Sequence, residues 1–137
     1  MKTLDLEKVH KVMSIAHDFE MSVDEENNSN FKAFGQSDSF LPCNFKTFLK
    51  HYSFQVEDDV LCVFNNDNIP YEEYSYGIYN YIPVKVLDFT ENELQDWLKL
   101  KLEEYNKKLA KDKIYALEFK KTQLKRLQEE IDRLEKQ

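Results

Sequence analysis

Apolar residues recur every three or four positions near the start of the chain. The stripe comprises Leu6, Val9, Met13 and Ala16. This spacing predicts an amphipathic helix over residues 4–20, with Thr3 or Asp5 as its N-cap. Residues 22–39 are polar and acidic instead, and this composition predicts a loop.

The next segment carries the signals of a short helix followed by strands. In "LPCNFKTFLKHY", Asn44 is placed to cap a helix that ends near the tyrosine. "SFQVE" alternates, whereas Val60–Phe64 is continuously apolar and predicts a central strand covered on both faces. Residues 53–87 as a whole predict an antiparallel meander of three or four strands.

A long helix is expected at the C-terminal end. Thr90 and Glu93 form a capping box, and no Gly or Pro occurs from Glu91 to Gln137. A first apolar stripe, expected to pack on the body of the protein, contains Leu94, Leu98, Leu102, Tyr105 and Leu109.

A second stripe follows on the same helix with heptad spacing. We call it the leucine seam, and it consists of Leu117, Leu124, Leu127, Ile131 and Leu134. Lys120 occupies the remaining core position, and residues 114–135 predict a coiled coil. A row of leucines exposed to water is unfavourable, so we expect another helix to bury it. That helix belongs to the same chain folded back near Lys111–Lys113, to a second copy, or to another protein. Self-association is favoured.

The fold class expected from these elements is α+β. Two N-terminal helices and a small antiparallel sheet form an acidic head over residues 1–90, and a long C-terminal helix occupies residues 91–137.

Charge is distributed unevenly along the chain. Residues 1–90 contain 7 Lys, no Arg and 15 Asp or Glu, whereas residues 91–137 contain 12 Lys or Arg and 11 Asp or Glu. An acidic head repels nucleic acid and anionic membranes and attracts a basic protein surface. No signal peptide or apolar span is visible, so we expect a cytoplasmic protein whose two cysteines are reduced.

Aromatic residues are concentrated in "YEEYSYGIYNYIPV", which has acidic but no basic residues. Tyrosine offers large, stiff contact area and is enriched at binding hot spots. We therefore predict a partner-binding tyrosine surface made of Tyr71, Glu72, Glu73, Tyr74, Tyr76, Tyr79 and Tyr81. The structural alternative is that these rings cover the sheet.

Signals for chemistry are sparse. Cys43 precedes the short second helix, where a helix N-terminus favours a thiolate, and His51 is a candidate partner for a hydrolase or ligand site. His10 and His17 share a helix face, but a metal site needs further ligands. We expect no enzyme activity, no catalytic residues, no metal and no cofactor.

The segments "YIPVKVLDFTENELQDWL", "KLKLEEYNKKLAKDK" and "LKRLQEEIDRL" give the chain a resemblance to small acidic accessory proteins of phages and mobile elements. The resemblance covers the chain from Tyr81 onward. It implies a role in host interaction or inhibition of host defence, and it carries no catalytic residues with it.

The function expected from the sequence is non-enzymatic protein–protein interaction. Its specific form is a phage-type inhibitor that binds a basic defence or nucleic-acid-binding protein through the tyrosine surface. The alternative is an assembly protein that oligomerises through the leucine seam, and the third interpretation is the small hydrolase or ligand-binding protein that uses Cys43 and His51.

Overall fold

The computed structural model describes residues 4–27, 29–35, 42–66 and 79–137. Over these residues the α+β prediction is confirmed: three α-helices accompany one three-stranded antiparallel sheet. The elements are α1 (Leu6–Asn27), α2 (Phe45–His51), β1 (Tyr52–Glu57), β2 (Val60–Asn65), β3 (Tyr79–Pro83), a 3-10 helix (Val84–Asp88) and α3 (Glu91–Glu135).

Helix α1 begins at Leu6, two residues after the predicted start, and ends later than predicted. The Asp5 carboxylate accepts the backbone N–H of Glu7 at 3.1 Å, so Asp5 acts as the N-cap. The prediction of a loop from residue 22 is wrong for residues 22–27, which are helical. The apolar face continues to the buried Val23, one helical repeat of seven residues after Ala16, and this burial offsets the acidic residues in the last turns.

Helix α2 is short and capped as expected. The side chain of Asn44 accepts the backbone N–H of Thr47 at 2.8 Å. Phe48 is the buried residue of this helix. The chain passes directly from His51 into β1, so α2 and the sheet edge are placed next to each other.

The sheet order is β1-β2-β3 with both pairs antiparallel, and β2 is central as predicted. Asp58 adopts a φ of 54° in the tight turn before β2, a conformation that Asp tolerates better than most residues. Leu61 and Val63 are buried on one face of β2, and Cys62 is buried on the other.

The chain leaves the sheet at Pro83, as the sequence indicates for a strand exit. The extension of the meander to residue 87 is wrong, because Val84–Asp88 forms a 3-10 helix. This 3-10 helix buries the adjacent residues Val86 and Leu87 in the core. A strand would place two adjacent side chains on opposite faces, so the burial of both explains why these residues leave the sheet.

The core lies between α1, α2, the sheet and the start of α3. Its fully buried side chains are Val9, Phe48, Leu61, Val63, Ile82, Val86 and Leu98. Partly buried aromatic residues, Phe19, Phe45, Phe54, Phe89 and Trp97, surround it. Most of the apolar stripe on α1 and the first two turns of α3 therefore serve the same core.

Helix α3 starts at the predicted capping box. The backbone N–H of Glu93 donates to the Thr90 hydroxyl at 3.2 Å, and the backbone N–H of Thr90 donates to the Glu93 carboxylate at 3.0 Å. The helix then runs without interruption to Glu135, through Lys111–Lys113. The chain divides into two compact units, which we call the first unit (Met1–Lys101) and the second unit (Leu102–Gln137).

Candidate interaction surfaces

His10, one of the two histidines that the sequence placed on α1, has a structural role. His10 Nε2 donates to the backbone carbonyl of Cys43 at 2.7 Å. Its ring also packs near Phe45 and Phe48, at centroid distances of 5.8 and 4.9 Å. His10 therefore ties α1 to the chain that enters α2. Among the described residues, no group of three His, Cys, Asp or Glu side chains is arranged to hold a metal ion.

The two cysteines have environments that disfavour a thiolate. Burial raises the pKa of the Cys43 thiol, and burial together with the nearby Glu57 carboxylate raises the pKa of the Cys62 thiol. A cysteine nucleophile needs the opposite shift. Cys43 and His51 also flank opposite ends of α2, a helix about 10 Å long at 1.5 Å per residue.

Most of the predicted tyrosine surface falls on a part of the chain that the structure does not describe. Tyr71, Glu72, Glu73, Tyr74 and Tyr76 lie outside the described residues. Tyr79 is the first residue of β3, and the structure describes its backbone. These positions stay predictions.

Tyr81 is the member of the tyrosine surface whose side chain is described, and it is 46% exposed. It pairs with Cys62 across the sheet, on the face opposite Leu61 and Val63. Tyr81 thus presents part of its ring away from the core face.

The backbone beside Tyr81 is held by a feature that the sequence analysis did not single out. The N–H of Tyr81 donates to the carbonyl of Phe34 at 2.8 Å, so the chain at Phe34 covers the outer edge of β3 at this residue. Gly35 has a φ of +92°, and a Cβ there would lie 3.3 Å from Tyr81 Cδ2. Gly35 is one of two glycines in the chain. This scarcity was the feature of the sequence that could have indicated a special backbone conformation here.

Phe34 also connects this loop to α3. Its ring stacks on Trp97 with a centroid distance of 5.6 Å and an interplanar angle of 25°. Lys101 Nζ lies 5.4 Å from the centroid of the Trp97 ring, within the range of a cation–π contact. The loop edge beside Tyr81 is therefore anchored to the first turns of α3.

Acidic residues are exposed at two places on the first unit. Asp24, Glu25 and Glu26 are exposed in the last turn of α1, and Glu57, Asp58 and Asp59 are exposed at the β1–β2 turn. These carboxylates belong to the 1–90 segment, in which acids outnumber lysines by 15 to 7. The first unit is thus suited to attract a positively charged surface.

The second unit exposes an apolar stripe. The five residues of the leucine seam are between 49% and 68% exposed. Every residue from 106 to 137 is classed as exposed. Other large apolar side chains are also exposed on this unit: Leu109, Ile114, Tyr115 and Phe119. Of these, Tyr115 and Phe119 lie away from the seam on the helix surface.

Over the described residues, no helix is long and apolar enough to cross a membrane. The resemblance to phage accessory proteins stays a prediction. Comparison with models of protein families, with curated proteins and with solved structures gave no match.

Proposed function

We propose that this chain is a non-enzymatic protein–protein interaction protein that assembles by pairing its C-terminal helix with that of a second copy. The observation that supports the proposal is the exposure of all five seam residues on a helix that continues without a break to Glu135. A chain that turned back near Lys111–Lys113 would cover the seam itself. Instead, α3 is an uninterrupted α-helix through these residues.

The size of the apolar stripe argues for a weak, concentration-dependent pair. Full burial of a Leu or Ile side chain contributes about 1.5–3 kcal/mol relative to exposure. Ten half-exposed side chains in a pair therefore supply roughly 10 kcal/mol, against an association cost of about 4–15 kcal/mol. At the low end of that cost the net free energy of association is about −6 kcal/mol, which corresponds to a dissociation constant of tens of micromolar.

A pair of seam variants tests the proposal. Leu124→Gln with Ile131→Gln removes two apolar side chains per copy from the seam, while glutamine keeps the helix propensity. We expect the wild-type chain to change from monomer to dimer between about 1 and 200 μM, and the variant to weaken that equilibrium at least 100-fold. Sedimentation equilibrium or light scattering after gel filtration measures both.

The control for this experiment is Tyr115→Gln with Phe119→Gln. Like the seam variant, it replaces two exposed apolar side chains of the second unit, but these two are aromatic and lie outside the seam. The control is expected to dimerise like the wild type. A wild-type chain that stays monomeric at 200 μM, or a control that weakens the dimer as much as the seam variant, contradicts self-association through the seam.

A second function, binding of a basic protein by the first unit, is favoured by the exposed carboxylates and by the half-exposed Tyr81. Opposite charge steers such partners together and makes their association sensitive to salt. In this proposal the helix pair doubles the number of acidic heads per assembly, which raises avidity for a partner with repeated basic sites.

Affinity purification with the intact chain tests this second function. We expect a protein of net positive charge to be recovered at low salt and lost at about 300 mM salt. Tyr81→Ala is expected to reduce its recovery several-fold, because exposed tyrosines anchor interfaces, while Tyr115→Ala on the second unit is expected to leave it unchanged. Equal recovery with wild type and Tyr81→Ala, measured by quantitative mass spectrometry, contradicts the role of this surface.

A further inference from the structure

Charged residues are segregated along the second unit. Residues 117–126 contain four basic residues and one acidic residue, whereas residues 127–137 contain four acidic residues and two basic residues. Because α3 is continuous over both segments, the leucine seam has a basic end and an acidic end. The relative direction of two paired helices therefore decides whether like or opposite charges meet.

We propose that two copies pair their C-terminal helices in antiparallel orientation, so that the basic end of each seam faces the acidic end of the other. This inference rests on the proposed self-association and specifies its partner and geometry. An antiparallel pair brings opposite charges together at both ends of the contact. A parallel pair brings four basic residues of each copy together at one end and four acidic residues together at the other.

Lys120 supports the same direction. It occupies the core position between Leu117 and Leu124 in the heptad pattern. In a parallel, in-register pair the two Lys120 ammonium groups face each other inside the contact, where water is partly excluded and repulsion is strong. In the antiparallel pair Lys120 faces the acidic half of the other seam, and its aliphatic stem packs while its ammonium reaches outward.

The positions that flank the seam separate the two orientations further. In a parallel pair, Glu130 approaches Glu135 of the other copy, as the flanking positions of successive heptads do in parallel coiled coils. This repulsion occurs twice in the pair. In an antiparallel pair that overlaps the seams end to end, with Leu117 opposite Leu134 of the other copy, Glu130 approaches Gln123 of the other copy instead, and this contact also occurs twice.

A charge-swap series on the full chain tests the orientation. Gln123→Glu is expected to raise the dimer dissociation constant about tenfold, since its two contacts with Glu130 of the other copy become repulsive. Glu135→Lys is expected to raise it several-fold, since it removes one acidic residue from each acidic end of the seam. The double variant Gln123→Glu with Glu130→Lys makes both contacts attractive and is expected to return the constant to within about threefold of wild type or below it. The changed residues are exposed, and circular dichroism verifies that the helix is kept.

The two orientations give opposite results for Glu135→Lys. In a parallel pair this change replaces the Glu130–Glu135 repulsion by attraction, so tighter dimerisation overturns the proposal. Unchanged dissociation constants in both single variants, or a trimer, also overturn it. A wild-type chain that does not dimerise at all overturns the proposed self-association itself and is recognised before any variant is made.

Salt dependence of the unmodified chain provides a second measurement. Attraction between opposite ends is screened by added salt, so the dimer is expected to weaken several-fold between about 50 and 300 mM sodium chloride. In a parallel pair salt screens repulsion between like ends. A dimer that becomes tighter over this range therefore contradicts the antiparallel arrangement.

Discussion

Replacing Phe48 by alanine is expected to lower the free energy of unfolding of the first unit by about 3–5 kcal/mol. The Phe48 side chain is fully buried, with ring centroids 4.9 Å from His10, 4.9 Å from Tyr52 and 5.3 Å from Phe54. Its loss leaves a cavity where α1, α2 and β1 meet. Since domains of this size are stable by about 5–15 kcal/mol, the variant loses a large part of its stability.

Urea unfolding followed by tryptophan fluorescence measures this effect. The chain has a single tryptophan, Trp97, whose ring stacks on Phe34 in the first unit. Phe119→Ala is the matched control, because the same side chain is 59% exposed on the second unit. The control is expected to change the free energy of unfolding by less than about 0.5 kcal/mol. Equal midpoints for the two variants contradict the placement of Phe48 in the core.

The N-terminal ends of the helices were predicted well from the sequence, because the residues that form a helix cap are close together in the chain. Asp5, Asn44 and the Thr90–Glu93 pair all make the predicted hydrogen bonds. The central place of β2 was also predictable, since a run of apolar residues without alternation requires cover on both faces.

Boundaries that depend on tertiary burial were not predictable from local patterns. Residues 22–27 look like a loop by composition, yet packing of Val23 extends α1 through them. Val84–Asp88 looks like the continuation of a strand, but Pro83 ends the ladder and the next residues turn into the core. In both places a buried apolar side chain decides the conformation.

The candidate surfaces differ in the same way. The leucine seam was predictable because its spacing and the absence of Gly and Pro are properties of the sequence. The state of Cys43 was not, since its raised pKa comes from burial of the thiol in the folded protein. The anchoring of Phe34 between Tyr81 and Trp97 likewise joins three separate segments.

The two proposed interactions can be separated because they belong to different units. Seam variants change exposed residues of the second unit, whereas Tyr81→Ala changes a half-exposed residue of the first unit. A seam variant is thus expected to lose dimerisation while its first unit unfolds at the wild-type urea concentration, measured on monomers. This separation allows the role of self-association in partner binding to be measured on a chain whose first unit stays folded.

Two leucines near the start of α3 provide the final prediction. Leu98 is fully buried in the core of the first unit, whereas Leu100, two residues later on the same helix, is 51% exposed. Leu98→Ala is expected to lower the free energy of unfolding by about 2–5 kcal/mol, because it removes buried methyl groups and leaves a cavity.

Leu100→Ala makes the same chemical change on the same helix and therefore controls for helix propensity. It is expected to change the free energy of unfolding by less than about 0.5 kcal/mol. Urea unfolding monitored by both Trp97 fluorescence and far-ultraviolet circular dichroism measures the two variants. If Leu98→Ala proves as mild as Leu100→Ala, the first turns of α3 are not part of the core. A large difference between these neighbours instead means that the helix which carries the seam begins inside the first unit.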